Sequence, residues 1–317
     1  MNIFYLANYA IFAAVLTAFS MEIAAALFAS ISYERFKDSI AAYIAPLWGI
    51  NGTFIVFYLV NFEATFPNLL APIGTMFILP AMLIALLIIL RNTTIISWEL
   101  HPDAAKEKRS IRVYSAVTAL VGFVAIAVLS AGVSGIGVNF AASTANIATV
   151  LFNPYDILMF IAILLIAYTM GCVHFKRDGQ ALPPSLSAIV AIFLVLIASS
   201  ISARHIVANV SANLPFLAAV VALLIATLVL YKLKSRAAGV VSLIWLYSAV
   251  LFFGFLEYPY IFGSVNSAVY TPQGTAAVGL SAITVIGGSI LIASLALLLY
   301  SRRKAKSDMP AQVQKVQ

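Results

Sequence analysis

Four carboxyls stand in or beside apolar runs of this chain and are its first candidates for chemistry: Glu22, Glu63, Asp156 and Glu257. Glu22, in Ser20-Met21-Glu22, sits near the middle of a long apolar segment. In a bilayer an ionisable group there costs about 2.5–3.5 kcal/mol on insertion scales, so it must face protein or water rather than lipid. Holding and passing a proton is the chemistry such a carboxyl suits. The competing reading is a buried acid satisfied by a neighbouring hydroxyl such as Ser20. Glu63 and Glu257 lie within about a turn of the end of their runs, where snorkelling lowers the cost. For Glu63 a proton-relay role and a structural role stand level. For Glu257, inside Glu257-Tyr258-Pro259-Tyr260, an interfacial structural role is at least as well supported. Asp156 follows Asn153-Pro154-Tyr155 and reads as a first-turn carboxylate at the positive end of a helix.

A second set of polar residues gathers on one hairpin, from Pro46 to Glu99. Trp48 and Trp98 flank its two spans as aromatic-belt residues. Asn51, one turn into its span, needs a hydrogen-bond partner and so points into a bundle. Arg91 ends the next span, where its default role is snorkelling to the interface. Trp48, Asn51, Arg91 and Glu99 together read as a structural polar cluster, with Arg91 and Glu99 placed to pair.

The elements that must position these residues are membrane helices. The sequence is 63% hydrophobic and 9% charged, against about 25% charged in soluble domains. Several apolar runs exceed the ~18 residues that read as a span. The fold class is therefore all-α and polytopic, with nine spans at about 5–31, 44–66, 69–91, 111–134, 152–174, 184–206, 213–233, 238–262 and 276–300. Residues 1–306 form one integral membrane domain, and 307–317 a disordered cytoplasmic tail. The first segment has no basic n-region and carries Glu22, so it reads as an uncleaved helix.

Orientation follows from Lys and Arg. With the N-terminus outside and the C-terminus cytoplasmic, 17 of the 18 basic residues fall on the inner side and only Arg204 outside. The formal net charge of +7 is thus a topology signal and calls for no nucleic-acid partner. The outer connections, 134–153 and 263–274, are small-residue, polar and uncharged. The inner connection 92–112 reads as solvated, with a short helix after Pro102.

Several chemistries are excluded. Cys172 is the only cysteine, so no intrachain disulfide and no CxxC site can form. His101, His174 and His205 lie in connections or at span ends and offer no bis-imidazole haem site. No phosphate-binding loop and no Ser-His-Asp grouping appears. The residues suggest no catalytic set and no metal ligands in this chain.

The hairpin motifs resemble a family. Pro46-Leu47-Trp48 and Asn51, Phe62-Glu63-Ala64-Thr65-Phe66-Pro67, Leu79-Pro80-Ala81-Met82-Leu83, and Leu90-Arg91 with Glu99 are similar to subunit II of the cytochrome bd quinol oxidases. Ser20-Met21-Glu22, Asn153-Pro154-Tyr155 and Leu256 to Thr271 are weaker matches. The resemblance covers most of the chain and is specific between about 40 and 100. Gly49 stands where the family carries an acid, Gly52 where it carries Glu, and Phe54 where it carries Trp, so the chain resembles a divergent member lacking the entrance carboxyl.

The resemblance implies two four-helix bundles plus one extra helix. It implies a non-haem subunit of a quinol:oxygen oxidoreductase in the cell (plasma) membrane, packed against a haem-bearing subunit I that holds haem b and haem d. It further implies a contribution to proton or oxygen access and, as in some members, a bound quinone. Membrane lipids are the remaining partner, and catalysis resides in subunit I. Two rivals stand beside it: a secondary transporter using Glu22 as an intramembrane carboxyl, and a purely structural assembly subunit.

Overall fold

The computed structural model describes residues 3–100, 104–175, 182–263, 265–266 and 277–290, with backbone alone for 32–43, 45–48, 50, 98–100, 104–107 and 262. Its elements are almost all helical. In chain order they are α1 (Ile3–Thr65), α2 (Leu70–Met76), α3 (Ile78–Leu100), α4 (Ala104–Ser134), α5 (Ile147–Leu151), α6 (Pro154–Phe175), α7 (Pro184–Ser202), α8 (Arg204–Val210), α9 (Leu214–Lys232), α10 (Ala237–Glu257) and α11 (Ala277–Ile290).

Helix α1 runs for 63 residues. Straight, it would be about 95 Å long, some three times the hydrocarbon thickness. It is bent back on itself instead. Asn8 Nδ2 donates to Asn61 Oδ1 at 3.1 Å, Asn51 Nδ2 donates to Glu22 Oε2 at 2.5 Å, and the rings of Phe12 and Tyr58 lie 5.0 Å apart. As one partner advances along the chain the other retreats, which is an antiparallel register. The reversal falls between Ile31 and Ile44, and the two halves correspond to the first two spans read from the sequence.

Seven stretches among the described residues are long and apolar enough to cross a membrane: Ile3–Ile31, Ile78–Ser97, Lys108–Ser134, Ile147–Phe175, Pro184–Ser202, Arg204–Lys232 and Ala237–Glu257. Two further spans read from the sequence are the second half of α1 and the one that opens with α11.

Local chemistry sets the boundaries. Pro154 and Pro184 stand at or next to the first residue of their helices, where a missing N–H costs nothing. The third span is broken, contrary to the continuous helix expected. Pro80 cannot donate to the carbonyl of Met76 and its ring crowds that carbonyl, so α2 ends at Met76 and α3 starts at Ile78. The connection 92–112 is also more helical than expected: α3 runs to Leu100, and α4 continues unbroken from Ala104 into its span. Between α7 and α9 the stretch 207–212 is helical. Asn209 Nδ2 donates to the carbonyl of Leu256 at 2.7 Å, binding α8 to the end of α10.

The connections that follow α4 and α10 are not plain loops. β1 (Val138–Asn139) pairs with β2 (Thr144–Ala145), and β3 (Tyr260–Phe262) with β4 (Val265–Asn266), each antiparallel. The turn into the first hairpin uses Gly135 at φ 71°, a conformation open to glycine at no steric cost. Gly263 N donates to the carbonyl of Gly132 at 2.6 Å, tying the second hairpin to the end of α4. The first half of α1 packs against α4, α6 and α10 at the centre of the molecule. Its Ala13, Ala24, Ala25 and Phe28 are fully buried.

Candidate functional site

The α1 hairpin carries Glu22 and Asn51 toward each other, and α3 brings Arg91 to the same place. Arg91 Nη1 lies 2.7 Å from Glu22 Oε1, and Asn51 donates to the other carboxylate oxygen at 2.5 Å. Glu22 is 1% exposed, Asn51 2% and Arg91 5%. Arg91 also donates from Nε and Nη2 to Asn92 Oδ1, at 3.2 and 3.1 Å. Its guanidinium is therefore turned into the bundle rather than snorkelling to the interface. Although Nη1 is close to Glu22 Oε1, no N–H is aligned on that oxygen; the contact is a charge pair in distance without hydrogen-bond geometry.

A wall of hydroxyls from α4 closes the cluster. Tyr114 is 1% exposed and Thr118 fully buried, and the Tyr114 hydroxyl lies in interaction range of Glu22, Arg91 and Thr118. Ser115, the next residue on α4, is also buried. The sequence reading missed these three. The available signal was their spacing, i, i+1 and i+4 within an apolar span.

Other residues singled out in the sequence lie elsewhere. Glu63 is exposed on the second half of α1, in line with Val56, Leu59 and Val60, which are also exposed. It takes no part in the Glu22 cluster. Trp48 and Glu99 belong to helical backbone in α1 and α3, and their side chains, with the expected Arg91–Glu99 pair, fall outside the described residues. Asp156 is 1% exposed, and Asn153 is the residue that caps α6: its Oδ1 accepts from Asp156 N at 3.1 Å while its Nδ2 bonds Asp156 Oδ2.

Glu257 is withdrawn from the surface of this chain. It is 2% exposed, at the end of α10, with Tyr9 Oη donating to Oε2 at 3.3 Å. Gly254 makes this possible, because a Cβ there would stand 2.2 Å from Tyr9 Cδ1. Glu257 and Tyr9 border a cavity of about 500 Å³ between α1, α4, α6, α7, α9 and α10. Its walls are mostly apolar and include Phe12, Phe62, Trp245 and Phe252. Three of its polar atoms, Glu257 Oε1, Tyr155 Oη and Ser199 Oγ, have no aligned partner among the described residues. A largely apolar space with a few convergent polar groups is the form of a small-molecule site. Next to it Asn61, which accepts from Asn8, donates to Thr284 Oγ1 at 2.5 Å and so tethers α11 to the hairpin.

Among the described residues no three of His, Cys, Asp and Glu group as metal ligands. His174 Nε2 bonds Ser242 Oγ at 3.1 Å, and no imidazole lines the cavity.

Three comparisons bear on this arrangement. Curated protein sequences give no match. The chain is similar in structure to the bd oxidase from Geobacillus thermodenitrificans, with a TM-score of 0.73 over 94% of this chain and 96% of that one, at 17% sequence identity. At that identity the likeness shows a shared fold. The sequence profile of cytochrome bd terminal oxidase subunit II matches residues 3–302. The chain belongs to the cytochrome bd terminal oxidase subunit II family.

Proposed function

We propose that this chain is the non-haem subunit of a quinol:oxygen oxidoreductase of the plasma membrane, supporting a haem-bearing subunit and holding a proton-relay carboxyl, Glu22, for it. The observation that carries this reading is the burial of Glu22 between Asn51 and Arg91. Reduction of oxygen to water consumes one proton per electron, and a path to the haem subunit needs groups inside the membrane that can hold a proton. On this reading nine helices cross the membrane, with the N-terminus outside. Gly49 and Gly52 leave the family's usual entrance without an acid, and a Cβ at either would meet nothing within 4 Å. Protons then reach Glu22 by another route than a carboxyl at position 49. Glu63 serves the path only through the partner, since its side chain faces away from the cluster.

Haem b and haem d belong to the partner in this proposal. A haem iron takes His, Met, Cys or Tyr as its axial donor, and the one cavity residue besides tyrosine that could serve is Met159. That cavity suits a quinone better. Phe12, Trp245 and Phe252 would hold its ring and tail, and Glu257, Tyr9 and Tyr155 would hydrogen-bond its carbonyl oxygens. When bound, a quinone supplies two-electron redox chemistry.

The charge pair with Arg91 favours one other reading, a structural latch in which Glu22 only fixes the hairpin against α3. Purification of the complex from its native membrane in mild detergent, with a redox difference spectrum, mass spectrometry of co-purifying subunits and quinone, and oxygen consumption, tests all three elements. Haem bands, a second haem-binding subunit, and lowered turnover in Glu22→Gln at unchanged haem content are expected. Unchanged turnover in Glu22→Gln selects the latch, and a colourless single-subunit preparation overturns the proposal.

A further inference from the structure

We propose that the cavity beside Glu257 opens sideways into the bilayer between α7 and α9, and that this gap is the door through which its quinone exchanges with the membrane pool. The inference rests on the quinone reading of the cavity and extends it from what is held to how it enters.

The first support is where the cavity wall is bare. Of the residues that line it, four are exposed: Ile192 and Leu196 on α7, Val207 on α8 and Val221 on α9. Every other wall residue, on α1, α4, α6 and α10 as well as on these three helices, is buried or half-buried. The cavity therefore opens where α7, α8 and α9 meet. The helix packing agrees. α7 packs against α6 and α9 against α10, whereas α7 and α9 do not form a packed pair. α8 closes the gap at one end, packing on α7 and tied to α10 through Asn209.

The second support is depth and polarity. Leu196 precedes the end of α7 at Ser202, and Val221 follows the start of α9 at Leu214, so each lies about 10 Å inside its helix at 1.5 Å per residue. That depth falls within a hydrocarbon layer about 30 Å thick, and what passes there comes from lipid rather than from water. The rim is apolar, while the unpartnered polar atoms Glu257 Oε1, Tyr155 Oη and Ser199 Oγ are buried in the walls. A molecule that fits carries its hydrogen-bonding end inward and its apolar end outward. A phospholipid does not fit. Among the described residues no Lys, Arg or His lines the cavity to meet a phosphate, and Glu257 would repel it. An uncharged ring on a long apolar tail, the build of a membrane quinone, meets both conditions.

A quinone seated in this way is not sealed in. Its ring lies among the buried polar atoms and its tail leads out between α7 and α9 into the lipid. It leaves by the route it entered, and no packed α7–α9 interface has to break to let it go. Bulk at the rim then sets the rate of exchange.

The test uses the assembled, haem-loaded complex in phosphatidylcholine vesicles, with a photoreactive azidoquinone dissolved in the lipid. After increasing times in the dark a flash fixes the probe. Mass spectrometry of this chain then gives the rate at which label reaches the cavity walls on α6 and α10, apart from any quinone site on a partner. Leu196→Trp and Val221→Trp, on two different helices, should each slow labelling roughly tenfold, the rate equivalent of the overpacking that an added ring causes in a narrow passage. Leu196→Ala should speed it, the opposite sign to that of a damaged fold. Ile197→Trp and Ile225→Trp, exposed on the same helices but outside the cavity walls, should leave it unchanged. Wild-type rates in both rim variants, or equal slowing in the Ile197 and Ile225 variants, overturn the door and leave the quinone reading standing. Native quinone that co-purifies with a cavity the probe never enters does the same. No label and no co-purifying quinone in the wild type overturn the quinone reading and this inference with it.

Discussion

Arg91 of α3 and Glu22 of α1 meet at 2.7 Å with both side chains withdrawn from the surface. The two residues most costly to place in hydrocarbon thus compensate each other. The pair does more than cancel charge. Asn51 fixes the second oxygen of Glu22 and Asn92 fixes the guanidinium, so three helical segments converge on one carboxylate.

Removing one partner of a buried pair strands a charge, at about 3–5 kcal/mol. Arg91→Met should therefore lower the melting temperature of the complex. The double variant Glu22→Gln/Arg91→Met leaves no stranded charge and should recover most of that stability while remaining slow in turnover. A single variant as stable as wild type would show that the pair holds nothing.

Asn51 donates to a carboxylate, a class of hydrogen bond worth about 1.5–3 kcal/mol. Asn51→Ala should destabilise by that order. Asn51→Asp is nearly isosteric but sets a second acid against Glu22, and should be worse than Ala. Chemical denaturation of the detergent-solubilised complex gives the order. If Asp is milder than Ala, the Asn51 side chain is not acting as a donor.

On the outer side, Gly254→Ala places a methyl 2.2 Å from the ring of Tyr9. Overpacking of this kind costs about 1–3 kcal/mol and should push Tyr9 off Glu257. Loss of co-purifying quinone, measured by mass spectrometry, should accompany the fall in stability. Tyr9→Ala in the same chain removes the clash and should restore the melting temperature without restoring the quinone. Full quinone content in Gly254→Ala would remove Tyr9 and Glu257 from that site.

The membrane helices were legible because apolar runs of this length have one reading. Glu22, Asn51 and Arg91 stood out for their cost in a bilayer. That they touch was not legible, since contact depends on where the chain reverses between Ile31 and Ile44, and the register there follows from packing rather than from a motif. Arg91 at a span end carries the same sequence signal whether it snorkels out or turns in. Tyr114 and Thr118 offered only their spacing on an apolar span, a weak signal because hydroxyls are ordinarily absorbed by their own helix. The break at Phe77 could have been read from Pro80. The outer hairpins could not, as strands of two or three residues are too short to show alternation. That Glu257 is buried was not legible either, since only the small volume of Gly254 lets Tyr9 fold over it.

The proposed nine-span topology can be tested by single cysteines. Asn8 bonds Asn61, so the two ends of α1 lie on the same side of the membrane, and with the N-terminus outside, Asn68 is outside too. Crossing by α3 and then α4 returns the chain to the outer side at Ala142. Crossing by α6, α7 and α9 leaves Lys234 inside. All three positions are exposed, and the only native cysteine, Cys172, is buried. In a Cys172→Ser background, Asn68→Cys and Ala142→Cys should react with a membrane-impermeant maleimide in spheroplasts. Lys234→Cys should react only after permeabilisation. Because each crossing inverts the side, a failure of the second half of α1 to span would leave Asn68→Cys and Ala142→Cys unlabelled and expose Lys234→Cys. Inversion of the whole chain would give the same pattern, so that result would overturn a nine-span topology with the N-terminus outside, in its span count or in its orientation.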